Sequence, residues 1–328
     1  MLTSVRALLA MLLALVLFVV GCGADAQVDG AARTFTDAQG HTLDLPAHPT
    51  RVVALSELTL DSALALDVRP VGTTAGRGQG TISSYLLERA KGIESVGILA
   101  QPSIEKVAAL HPDLILTDGT ATLDPSVLDK LRRIAPTVFV SKTGQDWRVA
   151  FQSAADALGR HDEGVAKLRE FDARVADIKS RLGSNAGAEV SIVRWGGIGL
   201  PAVIMKELSA SRTLTALGLK RPTFQDQEGP GHSVPVNYED LELLDGDWMF
   251  FGALGAGGPS GGVSETPADV AAAKEAIGYA VETPGFTRLR AYKLGHVVPV
   301  DGSAWTSAGG YLAQQVVLDD VERTLATK

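Results

Sequence analysis

One pattern, which occurs twice in the chain, constrains the fold more than any other feature. Its first copy is Pro102–Gly119, PSIEKVAALHPDLILTDG. Ser103 is a natural helix N-cap, and Pro112 removes a backbone donor and ends the helix. The all-apolar run 114–116 that follows is typical of a parallel strand buried on both faces. This stretch therefore predicts a helix, a stop, a buried strand and a turn, with Glu105 in the first helical turn.

The second copy is Asn237–Gly252, NYEDLELLDGDWMFFG. Asn237 stands in place of the cap Ser103, and Glu239 in place of Glu105. Both copies read cap-x-Glu-x-[Val/Leu]-x-x-Leu-x-x-Asp, followed by an apolar run. A repeat at this distance indicates two lobes of similar build. The alternative is coincidence, since a capped helix before a strand is common in α/β proteins.

A single long amphipathic segment, Asp162–Leu182, separates the two copies. Its apolar positions keep to one stripe: Val165, Leu168, Phe171, Val175, Ile178 and Leu182. Three acid-before-base pairs are spaced to support it: Glu163/Lys167, Glu170/Arg174 and Asp177/Arg181. Such a helix spans roughly 30 Å, which is long enough to join two lobes. Short strands alternate with helices on both sides of it, which indicates parallel sheets covered by helices.

The N-terminus reads as a lipoprotein signal. An apolar core, Leu8–Val20, follows Arg6 and ends in Val19-Val20-Gly21-Cys22-Gly23, which resembles a bacterial lipobox. We expect residues 1–21 to be a signal peptide, Cys22 to carry the lipid and residues 22–32 to be a tether. The predicted location is extracytoplasmic, anchored to the cell membrane. The alternative is an uncleaved anchor or an incidental thiol.

Composition excludes several classes of function. The net charge of −8 and the lack of a basic run argue against nucleic acid as a partner. Cys22 is the only cysteine, so the chain has no intrachain disulfide and no cysteine-based metal site. The six histidines show no ligand spacing, and only His232 is a candidate ligand contact. No nucleophile elbow, zinc-protease motif or P-loop is present, although scattered Ser, His and Asp leave a hydrolase open as an alternative.

The chain resembles the substrate-binding lipoproteins of ABC importers for ferric siderophores, vitamin B12 and haem. The resemblance covers nearly all of residues 33–328 and is carried by three stretches. They are the first copy of the repeat, the long helix, and the C-terminal pattern Leu289-x-Ala291-x-x-x-Gly295-x-Val297…Val300-Asp301…Trp305…Gly310…Val317-Leu318-Asp319-Asp320. It implies an α/β fold of two Rossmann-like lobes with central parallel sheets, joined by a single long inter-lobe helix. The boundaries would be 33–160 for the N-terminal lobe, 161–183 for the helix and 184–328 for the C-terminal lobe.

The resemblance also implies a function without catalysis. The protein would capture a ferric siderophore between its lobes and deliver it to an ABC permease, with iron present only inside the chelate, no other cofactor, and a monomeric state. Glu105 and Glu239 would be the acidic residues that dock onto the permease, with Glu242 as a rival for Glu239. Haem or cobalamin binding, or a sensor or protein-binding lipoprotein that has kept the fold, are the alternatives.

Candidate ligand contacts follow from the loops at the carboxyl ends of the strands, where open α/β sheets bind ligands. Arginine suits an anionic iron complex, and tryptophan supplies a flat apolar wall with one donor. The predicted ligand-binding residues are Arg77, Tyr85, Trp147, Arg194, Trp195 and Trp305. For each of them the alternative is a role in packing.

Overall fold

Two five-stranded sheets organise the part of the chain that the structure describes. This structure is a computed structural model, and it describes residues 32–121, 123–195, 200–229, 233–254 and 267–327. The predicted signal peptide, Cys22 and His232 lie outside these residues. None of the described helices is both long and apolar enough to span a bilayer.

The N-terminal lobe alternates strands and helices. Its strands are β1 (Arg33–Thr36), β2 (Thr42–Leu45), β3 (Val52–Ala54), β4 (Gly72–Thr73), β5 (Glu94–Ser95), β6 (Gly97–Ile98), β7 (Gln101–Pro102), β8 (Leu114–Thr117) and β9 (Thr137–Phe139). Its helices are α1 (Glu57–Ala65), α2 (Ile104–Ala109), α3 (Pro125–Arg132) and α4 (Trp147–Ala157), with a 3₁₀ turn at Ser84–Leu86. The sheet order is β5-β4-β3-β8-β9, and every neighbouring pair is parallel. The predicted parallel sheet is confirmed here.

The long helix α5 (His161–Ser180) leads into the C-terminal lobe. The strands of that lobe are β10 (Val190–Arg194), β11 (Ala202–Ile204), β12 (Ser233–Pro235), β13 (Trp248–Gly252) and β14 (Val297–Val300). Its helices are α6 (Ser209–Ala216), α7 (Val270–Glu282), α8 (Arg290–Lys293), α9 (Gly302–Trp305) and α10 (Tyr311–Leu325), with 3₁₀ segments at Gly183–Asn185, Tyr238–Leu244 and Phe286–Arg288.

The second sheet has three parallel strands, as predicted, and an antiparallel edge, so it is mixed. Its order is β12-β11-β10-β13-β14. Strands β10, β13 and β14 run parallel, whereas β11 and β12 pair antiparallel. The reason is the short connection from β10 to β11, because a parallel return needs a crossover of a dozen or more residues.

The internal repeat is visible in the hydrogen bonds that begin each sheet. Asp113 accepts from the backbone N–H of Arg51 at 2.9 Å, and its own N–H donates to the Arg51 carbonyl at 3.1 Å. Asp247 makes the same pair of bonds with Glu189, each at 2.8 Å. The shared Asp of the sequence pattern therefore fixes equivalent strands in both lobes.

The predicted cap of the second copy is wrong. Ser103 accepts from the N–H of Lys106 as expected, but Asn237 makes no capping bond. Its side-chain amide donates instead to Asp240, at 3.4 Å. Asp240 has non-helical dihedral angles (φ −111°, ψ 27°), so the segment Tyr238–Leu244 is a kinked 3₁₀ helix rather than an α-helix.

Helix α5 is held against the closing helix α10. Of the three predicted pairs along α5, Asp177–Arg181 forms at 2.6 Å. Arg174 does not pair with Glu170 as predicted, because Asp319 at 2.5 Å and Glu322 at 3.0 Å on α10 take its guanidinium. The buried face of α5 joins one hydrophobic core with residues from both lobes. The two sheets are thus packed onto a common support.

Candidate functional site

Loops at the carboxyl ends of the strands of the two sheets contact one another. Glu57, which follows β3, accepts a hydrogen bond at 2.5 Å from the hydroxyl of Ser307, which follows β14. Ser84 of the N-terminal lobe bonds to Asp301 at 3.1 Å and to Ser303 at 3.0 Å. The edges where open α/β sheets bind ligands therefore meet at a polar seam between the lobes.

Two predicted arginines lie at this seam. Arg77 donates to the carbonyl of Thr120 at 2.7 Å, and Arg194 donates to the carbonyl of Thr306. The pKa of Arg194 is lowered to about 10, chiefly by burial and also by the charge of Arg77, while the charge of Glu57 acts in the opposite direction. Among the described residues, the buried Nε of Arg194 has no hydrogen-bond partner.

Glu57 is the charged residue of the site that the sequence analysis missed. It is 6% exposed and also accepts from the hydroxyl of Ser83. Burial raises its pKa, while the hydrogen bonds from Ser307 and Ser83 and the charge of Arg77 act in the opposite direction. The sequence position of Glu57 also indicates a ligand site. Glu57 interrupts an apolar run directly after a buried strand, and the predicted arginines lie at strand ends too.

Further buried polar atoms lie in the same loops. Within the described part of the chain, the Oγ1 atoms of Thr74 and Thr117 and the Nε2 of Gln79 are buried without a hydrogen-bond partner. Thr117 ends β8, and the other two follow β4. Because buried polar groups are normally paired, these atoms are available to a bound molecule. Arg77 and Arg194 suit an anionic ligand, because arginine binds anions through a fork of fixed N–H donors.

Tyr85 takes part in the seam but contacts neither arginine. Its hydroxyl donates to Asp61 at 3.0 Å. Asp61 lies one turn beyond Glu57 on α1 and accepts from the backbone N–H groups of Leu312 at 2.8 Å and Ala313 at 2.9 Å, at the start of α10. Tyr85 therefore orients a carboxylate that ties one lobe to the other.

Two predicted tryptophans are core residues. Trp305 is fully buried, stacks on Phe250 with ring centroids 4.3 Å apart, and donates its indole N–H to Asp320 at 2.7 Å. Trp195 is 2% exposed and packs against Phe251 and Phe286. In the structure these two tryptophans have the alternative role, which is packing. A large aromatic ring contributes most to stability where it fills a core.

Trp147 is also buried, edge to face with Phe171 at 4.9 Å between ring centroids, but it lines a cavity. The cavity has a volume of about 450 Å³ and is bordered by both lobes. Its lining is charged: Asp146, Arg148, Lys206, Glu207, Arg212, Asp226 and Glu228. This cavity is a second place where a ligand could contact both lobes.

The chain matches the Periplasmic binding protein family over residues 52–304. It belongs to this family. The relatives include the probable siderophore-binding lipoprotein YfiY of Bacillus subtilis, which is 30% identical over 298 residues, covering 88% of this chain and 86% of that protein. The iron(3+)-hydroxamate-binding protein FhuD of the same organism is 29% identical over 272 residues, covering 77% of this chain and 82% of FhuD.

Solved structures have the same fold as this periplasmic binding protein. The Staphylococcus aureus protein SirA, complexed with staphyloferrin B, superposes with a TM-score of 0.73 at 24% identity, covering 89% of this chain and 98% of SirA. The predicted family and the two-lobe α/β fold are confirmed.

The two acidic residues expected at the permease lie on the surface of this binding protein. Glu105 is exposed, and its carboxylate accepts from Ser103 at 3.1 Å. Hydrogen bonds from its own backbone and from Ser103, with the charge of Lys130, lower its pKa. Glu239 is exposed beside a groove of about 590 Å³ that Glu282 also lines. Glu242 is exposed as well, so it remains a rival for Glu239.

Proposed function

We propose that this protein captures a ferric siderophore between its two lobes and delivers it to an ABC permease. The observation that carries the proposal is the hydrogen-bonded seam between the lobes, where Glu57 accepts from Ser307 and where the buried Nε of Arg194 has no hydrogen-bond partner among the described residues. Two lobes that each supply a guanidinium bind one anion jointly, so a single ligand can be recognised only when both lobes contact it.

The proposed ligand is an anionic or carbonyl-rich iron chelate, and iron arrives already wrapped. The similarity to the siderophore-binding lipoprotein YfiY, to the iron(3+)-hydroxamate-binding protein FhuD and to SirA complexed with staphyloferrin B supports an iron chelate rather than haem or cobalamin. The protein acts by binding and release, as a monomer, and catalyses no reaction. In this proposal a lipid on Cys22 holds it at the outer face of the cell membrane, with Glu105 and Glu239 turned towards the permease.

The test is quenching of tryptophan fluorescence by a panel of ferric citrate, ferric hydroxamates, ferric catecholates, haem and cobalamin. We expect saturable quenching by at least one anionic ferric chelate. Arg77→Gln and Arg194→Gln should each weaken it by about tenfold or more, since a hydrogen bond between charged groups contributes about 1.5–3 kcal/mol.

The matched control is Arg133→Gln, which removes an exposed arginine on the surface of the same lobe. It should bind as the wild type does. Quenching by haem or cobalamin alone would contradict the choice of ligand, and no response to any member of the panel would contradict the transport function.

A further inference from the structure

Glu57 connects the two lobes at the point where the arginines meet. One carboxylate oxygen accepts from Ser83 in the N-terminal lobe and the other from Ser307 in the C-terminal lobe. The side chain is almost completely buried. Both hydroxyl groups donate to it, which is the arrangement that suits an ionised carboxylate.

The charged and titratable groups around Glu57 include both signs, and Asp301 lies at the same seam, where it accepts from Ser84. Arg77 and Arg194 attract its charge. Tyr85 faces it from the 3₁₀ turn, and Asp61 lies one turn further along its own helix. Asp118 accepts a hydrogen bond at 2.6 Å from the hydroxyl of Ser56, the residue that precedes Glu57.

The guanidiniums of Arg77 and Arg194 carry more N–H donors than their hydrogen bonds to carbonyls use. In the described residues, Arg77 and Arg194 donate side-chain N–H groups to carbonyls, and neither forms a direct ion pair with Glu57. Oxygens of an anionic ligand that took the free N–H groups would lie beside the Glu57 carboxylate. Two like charges at a site with little water repel strongly, so one of them is favoured in its neutral form.

We propose that Glu57 is the built-in counter-ion of the ligand site, which balances the arginines in the free protein and takes up one proton from solvent when an anionic ligand binds to them. This inference rests on the proposed function. Its step is balanced: the carboxylate gains one solvent proton, the ligand keeps its charge, and no other bond changes.

The sign of the pH dependence follows from linkage. If binding takes up a proton, the affinity for the ligand rises as the pH falls, by at most about tenfold per pH unit for one proton. The burial that already raises the pKa of Glu57 brings this change towards neutral pH. Ligand would then be held more tightly in an acidified medium than in an alkaline one.

The experiment is titration calorimetry with ferric citrate at pH 7.5 in phosphate and in Tris, two buffers of different ionisation enthalpy, which counts the protons exchanged. Wild-type protein should take up more protons than Glu57→Gln, by up to one per ligand. The difference between the two proteins cancels any proton that ferric citrate itself exchanges. Glu57→Gln should also bind about tenfold more tightly at the alkaline end of the range, because the repelling charge is gone.

Glu88→Gln is the matched control, because it removes an exposed carboxylate of the same lobe and leaves Glu57 in place. It should take up as many protons as the wild type. If Glu57→Gln unfolds, the pH dependence of the wild-type affinity decides the matter, since an affinity that does not rise as the pH falls overturns the proposal.

The outcomes separate this proposal from the function on which it rests. Binding of ferric citrate with equal proton uptake by wild type and Glu57→Gln overturns the counter-ion and leaves the transport function standing. Failure of the wild type to bind ferric citrate and every other ferric complex of the panel overturns both.

Discussion

At the scale of single residues, a buried polar contact decides the role of Trp305. Its indole N–H donates to Asp320, whose pKa burial raises while that hydrogen bond and Arg323 lower it. The ring face is covered by Phe250. The side chain therefore fixes α9 against α10, and none of its surface is left for a ligand.

We expect Trp305→Phe to reduce the free energy of unfolding by about 1–3 kcal/mol, because Asp320 loses a donor in a buried position. Urea unfolding measures this. The affinity for the ligand should stay within about twofold of wild type, as it should in the exposed control Tyr279→Phe. If Trp305→Phe loses affinity for the ligand while its free energy of unfolding is unchanged, Trp305 is a ligand contact and not a packing residue.

At the scale of elements, the N-terminus of α10 is completed from the other lobe. Gly310 occupies its N-cap position and offers no side chain, and the carboxylate of Asp61 on α1 accepts the free N–H groups instead. A Cβ at Gly310 would lie 2.8 Å from Asp61 Oδ1, so the close approach requires glycine. Burial nevertheless outweighs these bonds and raises the pKa of Asp61 to about 6.

This pKa predicts a slope of stability with pH. Between pH 4 and about 6 the folded state holds the Asp61 proton more tightly than the unfolded state does, so this contribution falls as the pH rises through that window. The loss is at most about 1.4 kcal/mol per pH unit. Urea unfolding of wild type and Asp61→Asn at several pH values should show the extra slope in the wild type only, and parallel curves would contradict it.

Elements with strong local signals could be predicted from the sequence, and those set by distant partners could not. The long helix and the strand after each repeat follow from apolar periodicity and from the shared Asp that binds the neighbouring strand. The ion pairs of Arg174 with Asp319 and Glu322 depend on a helix far along the chain, and they replace the local pair with Glu170. The short helix α9 and the stacking of Trp305 on Phe250 also depend on a distant strand, so the sequence did not show that this tryptophan is buried.

The candidate site also contains features that could be predicted from the sequence and features that could not. Arg77 and Arg194 could be predicted because Arg194 ends a strand and Arg77 lies in the loop after one, and sheet topology brings such positions to one edge. Glu57 lies at the same kind of position, but its contacts with Ser83 and Ser307 could not be predicted, because both partners are distant in the chain.

At the scale of the whole molecule, one hydrophobic core runs through both lobes and α5. Contacts such as Arg174–Asp319 and Asp61–Leu312 join α10 to α5 and to α1. Glu105 and Glu239 lie on the two lobes that share this core. Two acidic groups, one on each lobe, suit a two-point contact with a basic partner.

Replacing both residues, as Glu105→Arg with Glu239→Arg, should abolish uptake of radioactive iron by cells, because two attractive contacts become repulsive. The affinity for the ligand in solution should not change. Glu242→Arg tests the rival position, and Glu88→Arg is the exposed control that should leave uptake unchanged. Normal uptake by the double variant would exclude docking through these residues.

The central claim is that the ligand lies between Arg77 and Arg194, and a crystal structure with a bound ferric siderophore tests it most directly, with iron located by its anomalous scattering. We predict an iron peak at the seam, with ligand oxygens within hydrogen-bond distance of both guanidiniums. An iron peak in the charged cavity beside Trp147, with both arginines still bound only to the carbonyls of Thr120 and Thr306, would contradict the account.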